Sequence, residues 1–297
     1  IKIKNIKVSW QQAYEESKAM VKLGFSFMGG ALAAVLGTYL IRVIIIRDLS
    51  LADAGIYQAA FAISGVYIGI ILKAMGKDFY PRLTQVAFQA KDEIQLINEQ
   101  TQVGMLLAAP GLMFTMALAP IGIKLLYSAE YLEAYPVLQW MILGVFMRTI
   151  SWPMSFLFVA RAKGKVFFLT QVIIWALHVL FIFLGLQLFG LKGTGIAFFV
   201  LYILYTAMML TLLNRENDFK WSSQVIKIII GMSLMFSLAF VNSQFSNELW
   251  GSVINSFFGI ILSYVAYLEI AKILEVKSFK ELIQKLKKRN QINNEIS

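Results

Sequence analysis

YPVLQWMILGVFMRTISWPMSFLFVA, residues 135–160, is long and apolar enough to cross a bilayer, yet it carries Arg148 near its middle and Pro153 shortly after. With about 12 residues on either side, Arg148 lies roughly 18 Å from each end of such a helix. A side chain at that depth cannot snorkel fully to a headgroup layer. It must face protein, water or an anion rather than lipid, and keeping it there costs about 3 kcal/mol or more. This stretch decides the fold class: the chain is expected to be all-α and to lie in a membrane.

Composition agrees. Of 297 residues, 59% are hydrophobic, too apolar for an ordinary soluble domain. Apolar runs near the length of a bilayer crossing recur at about 23–46, 54–76, 103–126, 136–160, 166–189, 194–213, 224–242 and 250–274, predicting eight transmembrane helices. There are no cysteines and one histidine, so disulfides, thiolate metal sites and His-based triads are excluded or poorly supplied. No metal or cofactor is expected. The first 22 residues are polar and mixed in charge, unlike a signal peptide. With Ile1 at the start they read as an internal loop, and the chain as a fragment of a longer protein.

Net charge is +10, but placement matters more than the sum. Of the 27 Lys and Arg, only Arg42, Arg47, Lys124 and Lys192 flank the short connections on one side, and Arg148 is left in the membrane. The remainder flank segments 1–22, 77–102, 161–165, 214–223 and 275–297, so both ends are expected to be cytoplasmic. Two of these segments read as amphipathic surface helices. In 83–97, Leu83, Val86, Ala87, Ala90, Ile94 and Ile97 share a face, with Lys91, Asp92 and Glu93 elsewhere. In the tail, Val276, Phe279, Leu282, Ile283 and Leu286 oppose a Lys-rich face. Both suit contact with anionic membrane lipids, and no nucleic-acid partner is expected.

Small-residue stripes mark places of close helix approach: Ser26, Gly30, Ala33 and Gly37 in the first span, Ala62, Gly65 and Gly69 in the second, and Gly193 with Ala197 opening the sixth. Polar candidates cluster on two adjacent spans. Trp140, Gly144, Arg148, Ser151, Trp152 and Ser155 read as one face of the fourth, and Pro153 removes a bond to the Thr149 carbonyl beside the arginine. On the fifth, Gln171, Trp175 and His178 share a face at a similar depth. The two spans are joined only by Arg161–Lys165, which permits these faces to meet. No Asp or Glu lies at mid-membrane, so the counter-charge of Arg148 is a ligand anion or a residue outside these 297. There is no P-loop, HExxH, nucleophile elbow or carboxylate pair, so an enzyme is not expected.

The segment LGFSFMGGALAAVLGTYLIRVIIIRDLSLADAGIYQAAFAISGVYIGIILKAMGKDFYPRLTQV, residues 23–86, resembles the opening of the second lobe of Wzx-type polysaccharide flippases of the multidrug/oligosaccharidyl-lipid/polysaccharide (MOP) superfamily. Three short pieces carry the likeness. They are a span ending in Arg42 before a short acidic loop, Gly55-Ile56-Tyr57 with Ala59 and Ala60, and Tyr80-Pro81-Arg82-Leu83. Glu130-Tyr131 with Ala134, and the loop 190–195, are also similar to family features. The resemblance implies a lead-in at 1–22, a six-helix transporter lobe at 23–213, two additional transmembrane helices at 214–274 and a basic cytoplasmic tail at 275–297. It further implies a preceding N-terminal lobe, a cation-lined cavity between lobes, and residence in a bacterial inner membrane. The implied substrate is a polyprenyl-diphosphate-linked oligosaccharide, flipped from cytoplasmic to periplasmic leaflet for O-antigen or other surface polysaccharide, including lipopolysaccharide.

The residues suit that chemistry. Arg148 and Arg42 are candidate contacts for a diphosphate. Trp140, Trp152, Trp175, Gln58, Gln171 and His178 are candidate cavity or sugar contacts. Lys73, Lys77 and Arg82 form a basic rim suited to gathering an anionic headgroup, although positive-inside bias alone accounts for it. The alternative is a small-molecule drug or cation antiporter of the same superfamily, which would want a buried carboxylate. A polymerase or ligase acting on the same carriers would want a larger outer loop than Tyr127–Tyr135.

Overall fold

A computed structural model describes residues 10–273 as eight long helices: α1 Trp10–Asp48, α2 Leu51–Gln85, α3 Ala90–Leu126, α4 Ala134–Ala160, α5 Gly164–Phe189, α6 Lys192–Asn217, α7 Ser223–Phe245 and α8 Glu248–Ile273. A short 3₁₀ turn, Ala129–Glu133, leads into α4. All eight are long and apolar enough to cross a membrane. The predicted spans are all present, and the chain is an all-helical, multi-pass membrane protein. Helices suit this setting because each satisfies its own backbone, which lipid cannot do. The amphipathic tail expected at 276–286 lies outside the described residues.

Most helices run further than their apolar cores. The extension is largest at the Lys- and Arg-rich end of the bundle, called here the basic end, where α2 continues to Gln85 and α3 begins at Ala90. The single surface helix expected over 83–97 is therefore not formed. Val86–Gln89 instead makes a turn in which Phe88 takes the left-handed conformation (φ 72°). Glu93, expected on the polar face, is fully buried and accepts a hydrogen bond from the Phe88 backbone N–H at 2.9 Å. A carboxylate in the first turn of a helix complements the unpaired N–H groups there. Ser50 does the same job for α2, its Oγ accepting from Asp53 N at 3.1 Å, and Ser222 for α7.

α3 and α4 form the centre. Met105, Leu112, Met113 and Met116 of the first meet Leu138, Met141, Ile142 and Val145 of the second, and none is more than 1% exposed. α2 and α6 flank α4, whereas α1 pairs chiefly with α5. α7 and α8 form a hairpin laid along α3, and α7 also reaches α4 through Phe236 on Phe146 and Phe240 on Trp140. Within the hairpin, Asn255 donates to Ser243 Oγ at 2.7 Å and to the Ala239 carbonyl at 3.2 Å, and accepts from Asn242 at 3.0 Å. Gln244 Nε2 donates to Gln139 Oε1 of α4 at 2.9 Å.

The small-residue stripes divide into two kinds. In α1 the stripe is a helix contact: Gly30 faces Gln171, and a Cβ on Gly37 would lie 2.5 Å from Cε3 of Trp175. Gly185 and Gly193 bring the backbones of α5 and α6 together. In α2 the same spacing serves nothing of the sort. Gly65 and Gly69 have no neighbour within 4 Å of the Cβ position, so they open space rather than close it.

Candidate functional site

The space beside Gly69 belongs to a cavity of about 920 Å³ between the α1–α5 pair and helices α2, α4 and α6. Its wall contains Gly69, Lys73, Gly76, Lys77 and Tyr80 of α2, and Arg148, Ser151, Trp152, Ser155 and Phe156 of α4. Gln171, Trp175 and His178 of α5 and Phe198, Tyr202 and Tyr205 of α6 complete it. Helical rise orders these groups from the basic end inward. Phe156, Tyr80 and Gln171 lie within roughly 6–10 Å of it, Lys77 and Trp152 at roughly 12 Å, and Lys73, Arg148, Trp175, Tyr205, His178 and Tyr202 at roughly 16–22 Å. The fourth and fifth spans thus present their polar faces to one space, as their short connection permits.

Arg148 is half-buried, with its guanidinium carbon 5.9 Å from the centre of the Tyr202 ring. Among the described residues, no carboxylate lines the cavity. Three basic side chains, Lys73, Lys77 and Arg148, therefore face a largely apolar space with no acidic side chain described in its wall. Pro153 sits within a helix that continues to Ala160, and nearby hydroxyls turn to the backbone: Ser151 Oγ donates to the Arg148 carbonyl at 3.1 Å, Ser155 Oγ to that of Trp152 at 2.8 Å. Aromatic rings line the cavity in two runs. Trp152 packs 4.5 Å from Phe156, and Trp175, His178, Phe198 and Tyr202 follow one another at centroid distances of 4.9–5.7 Å.

Three candidates lie elsewhere. Trp140 packs against Phe199 and Phe240, away from the cavity. The reason is angular: eight residues of helix turn about 800°, so Trp140 is some 80° from the direction of Arg148. Arg42 and Gln58 are exposed and pair with each other, Nη2 to Oε1 at 3.3 Å, beyond the inner end of the cavity. Arg82 of the expected rim turns to Asp78 (3.3 Å) and Glu99 (3.8 Å), while Lys73 and Lys77 enter the wall.

Other groups went unread in the sequence. Phe198, Tyr202 and Tyr205 recur at helical spacing on α6, a signal that was available. At the basic end, Arg161 in the α4–α5 turn binds Glu93 of α3 and Glu216 of α6, and Lys163 also binds Glu216. Asn217 Nδ2 adds a bond to Glu93 at 3.2 Å. The hydrogen bonds to Glu93, with the negative charges of Glu93 and Glu216, hold the Arg161 guanidinium above its ordinary pKa against the opposing effect of burial. The cluster fastens the α4–α5 turn to α3 and α6 at the basic end, and no spacing in the sequence announces it.

Residues 2–136 match a family model described as a polysaccharide biosynthesis protein. Over 120 residues the chain is 29% identical to the succinoglycan biosynthesis transport protein ExoT of Rhizobium meliloti (strain 1021), a match covering 40% of this chain and 24% of that protein. Among solved structures it is similar to the lipid II flippase MurJ in an inward closed conformation, with TM-score 0.58, 15% identity, and coverage of 80% of this chain and 52% of the other. It is also similar to a MOP superfamily transporter from Pyrococcus furiosus (TM-score 0.50) and to an outward-facing multidrug resistance MATE family transporter (TM-score 0.52). Each of these is 17% identical, and each match covers 86% of this chain and 68% of the other. The chain thus spans about a quarter of the curated relative and about half of MurJ. Its eight membrane-crossing helices share the fold of these solved transporters, and residues 2–136 match the model of a polysaccharide biosynthesis protein family.

Proposed function

We propose that the chain forms one wall of a path that carries a polyprenyl-diphosphate-linked oligosaccharide across a bacterial inner membrane. The direction is from the cytoplasmic to the periplasmic leaflet, for O-antigen or another surface polysaccharide. The observation that carries this is the cavity: Arg148, Lys73 and Lys77 without a carboxylate, lined with Trp152, Phe156, Trp175 and Tyr202. A diphosphate supplies the absent negative charge, and its oxygens match a guanidinium fork and two ammonium groups. Sugar rings offer apolar faces to the aromatics and hydroxyls to Gln171, Ser151 and Ser155. The same lack of carboxylates disfavours a cation or drug antiporter, which needs negative charge where its ligand sits. On this reading the basic end is cytoplasmic, the cavity is half of a site completed by a preceding lobe, and α7 and α8 are an addition to a six-helix lobe. The fold likeness and the polysaccharide relatives support it.

The test is complementation of a host that lacks its own exporter and so displays no surface glycan. Arg148→Ala and Arg148→Glu abolish surface glycan with normal amounts of protein in the membrane, and Arg148→Lys keeps part of it. Full display in Arg148→Ala would remove the anion-contact role.

A further inference from the structure

His178 is the single histidine of the chain. It stands in the cavity wall roughly 21 Å from the start of α5, its side chain 3% exposed. Its ring is held between Trp175 (5.6 Å) and Phe198 (5.7 Å), and its Nε2 has no hydrogen-bond partner. A buried polar atom without a partner demands an explanation. Here the neighbouring space is where a partner would arrive.

The groups around that space set the terms. α2 contributes Lys73, Lys77 and Tyr80, α4 contributes Arg148, α6 contributes Tyr202 and Tyr205, and α5 itself adds Gln171 and Trp175. α1 contributes Phe27 and Ala34, its Arg42 being turned to Gln58. None is a carboxylate. With the cavity empty, protonating His178 would add a further positive charge to a basic, poorly solvated space, so the imidazole is neutral. An anion seated on Arg148 and the lysines reverses this, because it brings both negative charge and oxygen acceptors for an imidazolium N–H. Imidazole is the side chain whose ordinary charge change falls between about pH 5 and 8.

We propose that His178 takes up a proton when a phosphate-bearing anion occupies the cavity and returns it when the anion leaves, so that anion and proton reside there together. The proton comes from water and no covalent bond to the ligand forms. This rests on the reading of the cavity as an anion site. Linkage makes the effect reciprocal: the anion raises the proton affinity of His178, and lower pH tightens the anion. It also means that less net negative charge crosses the membrane per ligand moved.

The experiment uses the full chain in detergent micelles, labelled with 15N in histidine, and inorganic pyrophosphate as the probe. One imidazole gives one pair of nitrogen resonances, titrated against pH with and without saturating pyrophosphate. The expected result is an upward shift of the midpoint by about one pH unit or more, a tenfold gain in proton affinity. In His178→Gln, pyrophosphate binding keeps only the pH dependence between about 5 and 8 that the ionisation of pyrophosphate itself imposes. Pyrophosphate that binds while the His178 midpoint stays put overturns the proposal and leaves the anion site standing. Pyrophosphate that does not bind at all overturns the anion site, and this inference with it. If His178→Gln does not fold, the titration of the unaltered chain decides alone.

Discussion

Arg161 grips Glu93 with two parallel hydrogen bonds, Nε to Oε1 at 2.8 Å and Nη2 to Oε2 at 2.5 Å. The pair joins the α4–α5 turn to the first turn of α3, with the Glu93 side chain fully buried and that of Arg161 8% exposed. Removing Arg161 leaves Glu93 buried without a counter-charge, and removing Glu93 leaves Arg161 only Glu216, which Lys163 also holds. Glu93→Ala and Arg161→Ala are each expected to cost about 3–5 kcal/mol, while a well-packed apolar replacement of both costs far less. Thermal unfolding in detergent measures this. A melting midpoint in Glu93→Ala equal to that of the parent chain would show that the cluster does not hold the bundle.

Two glycines of similar sequence setting are expected to behave in opposite ways. Gly37→Val drives a branched side chain into the six-membered ring of Trp175 and should cost about 1–3 kcal/mol, loosening α1 from α5. Gly69→Ala meets open space and should leave the melting midpoint unchanged or slightly higher, since alanine favours helix. Its methyl group points where the ligand is proposed to pass, so any loss should appear in export. Equal melting midpoints for the two variants would contradict the packing described here.

Trp140 and Trp152 separate packing from transport. Trp152→Leu removes an aromatic face from the cavity and should lower glycan display about two- to tenfold, the size of one aromatic contact. Trp140→Phe keeps a ring against Phe199 and Phe240 and should leave display unchanged. Quantifying surface glycan at matched protein levels distinguishes them, and a larger loss for Trp140→Phe would place the site on the wrong side of α4.

Asn255 is the pin of the α7–α8 hairpin. Asn255→Leu loses bonds to Ser243, Asn242 and the Ala239 carbonyl and leaves Asn242 and Ser243 to find other partners. Hydrogen bonds between membrane helices are worth about 0.6–2 kcal/mol each. The expected sign is faster proteolytic cleavage in the connection Ser246–Asn247, with the rest of the bundle intact. Unchanged cleavage would mean that packing on α3 alone holds the hairpin.

Much of the candidate site was legible, and for a stated reason. Arg148, Trp152, Gln171, Trp175 and His178 lie on two helices joined by a short turn, so depth and facing follow from helical rise and sequence distance alone. The errors came where that arithmetic is weakest. Trp140 drifted off the face over eight residues. Arg42 found Gln58 on the next helix, a choice no periodicity encodes. Glu93 looked like one of three charges on a solvated face, but Arg161 and Asn217 arrive from far along the chain to bury it.

Each membrane helix must satisfy its own backbone and expose apolar side chains to lipid. That requirement is local, so the number, order and type of the helices were decided by the sequence alone, as was the position of Arg148 near the middle of an apolar helix. Helix pairing is not local. α1 meets α5, α4 meets α6, and the same glycine spacing became a tight contact in α1 and an empty wall in α2. Only the tertiary structure showed that the arginine of residues 135–160 shares a carboxylate-free cavity with Lys73, Lys77 and an unpartnered His178, because those neighbours come from helices that touch only after the bundle has formed.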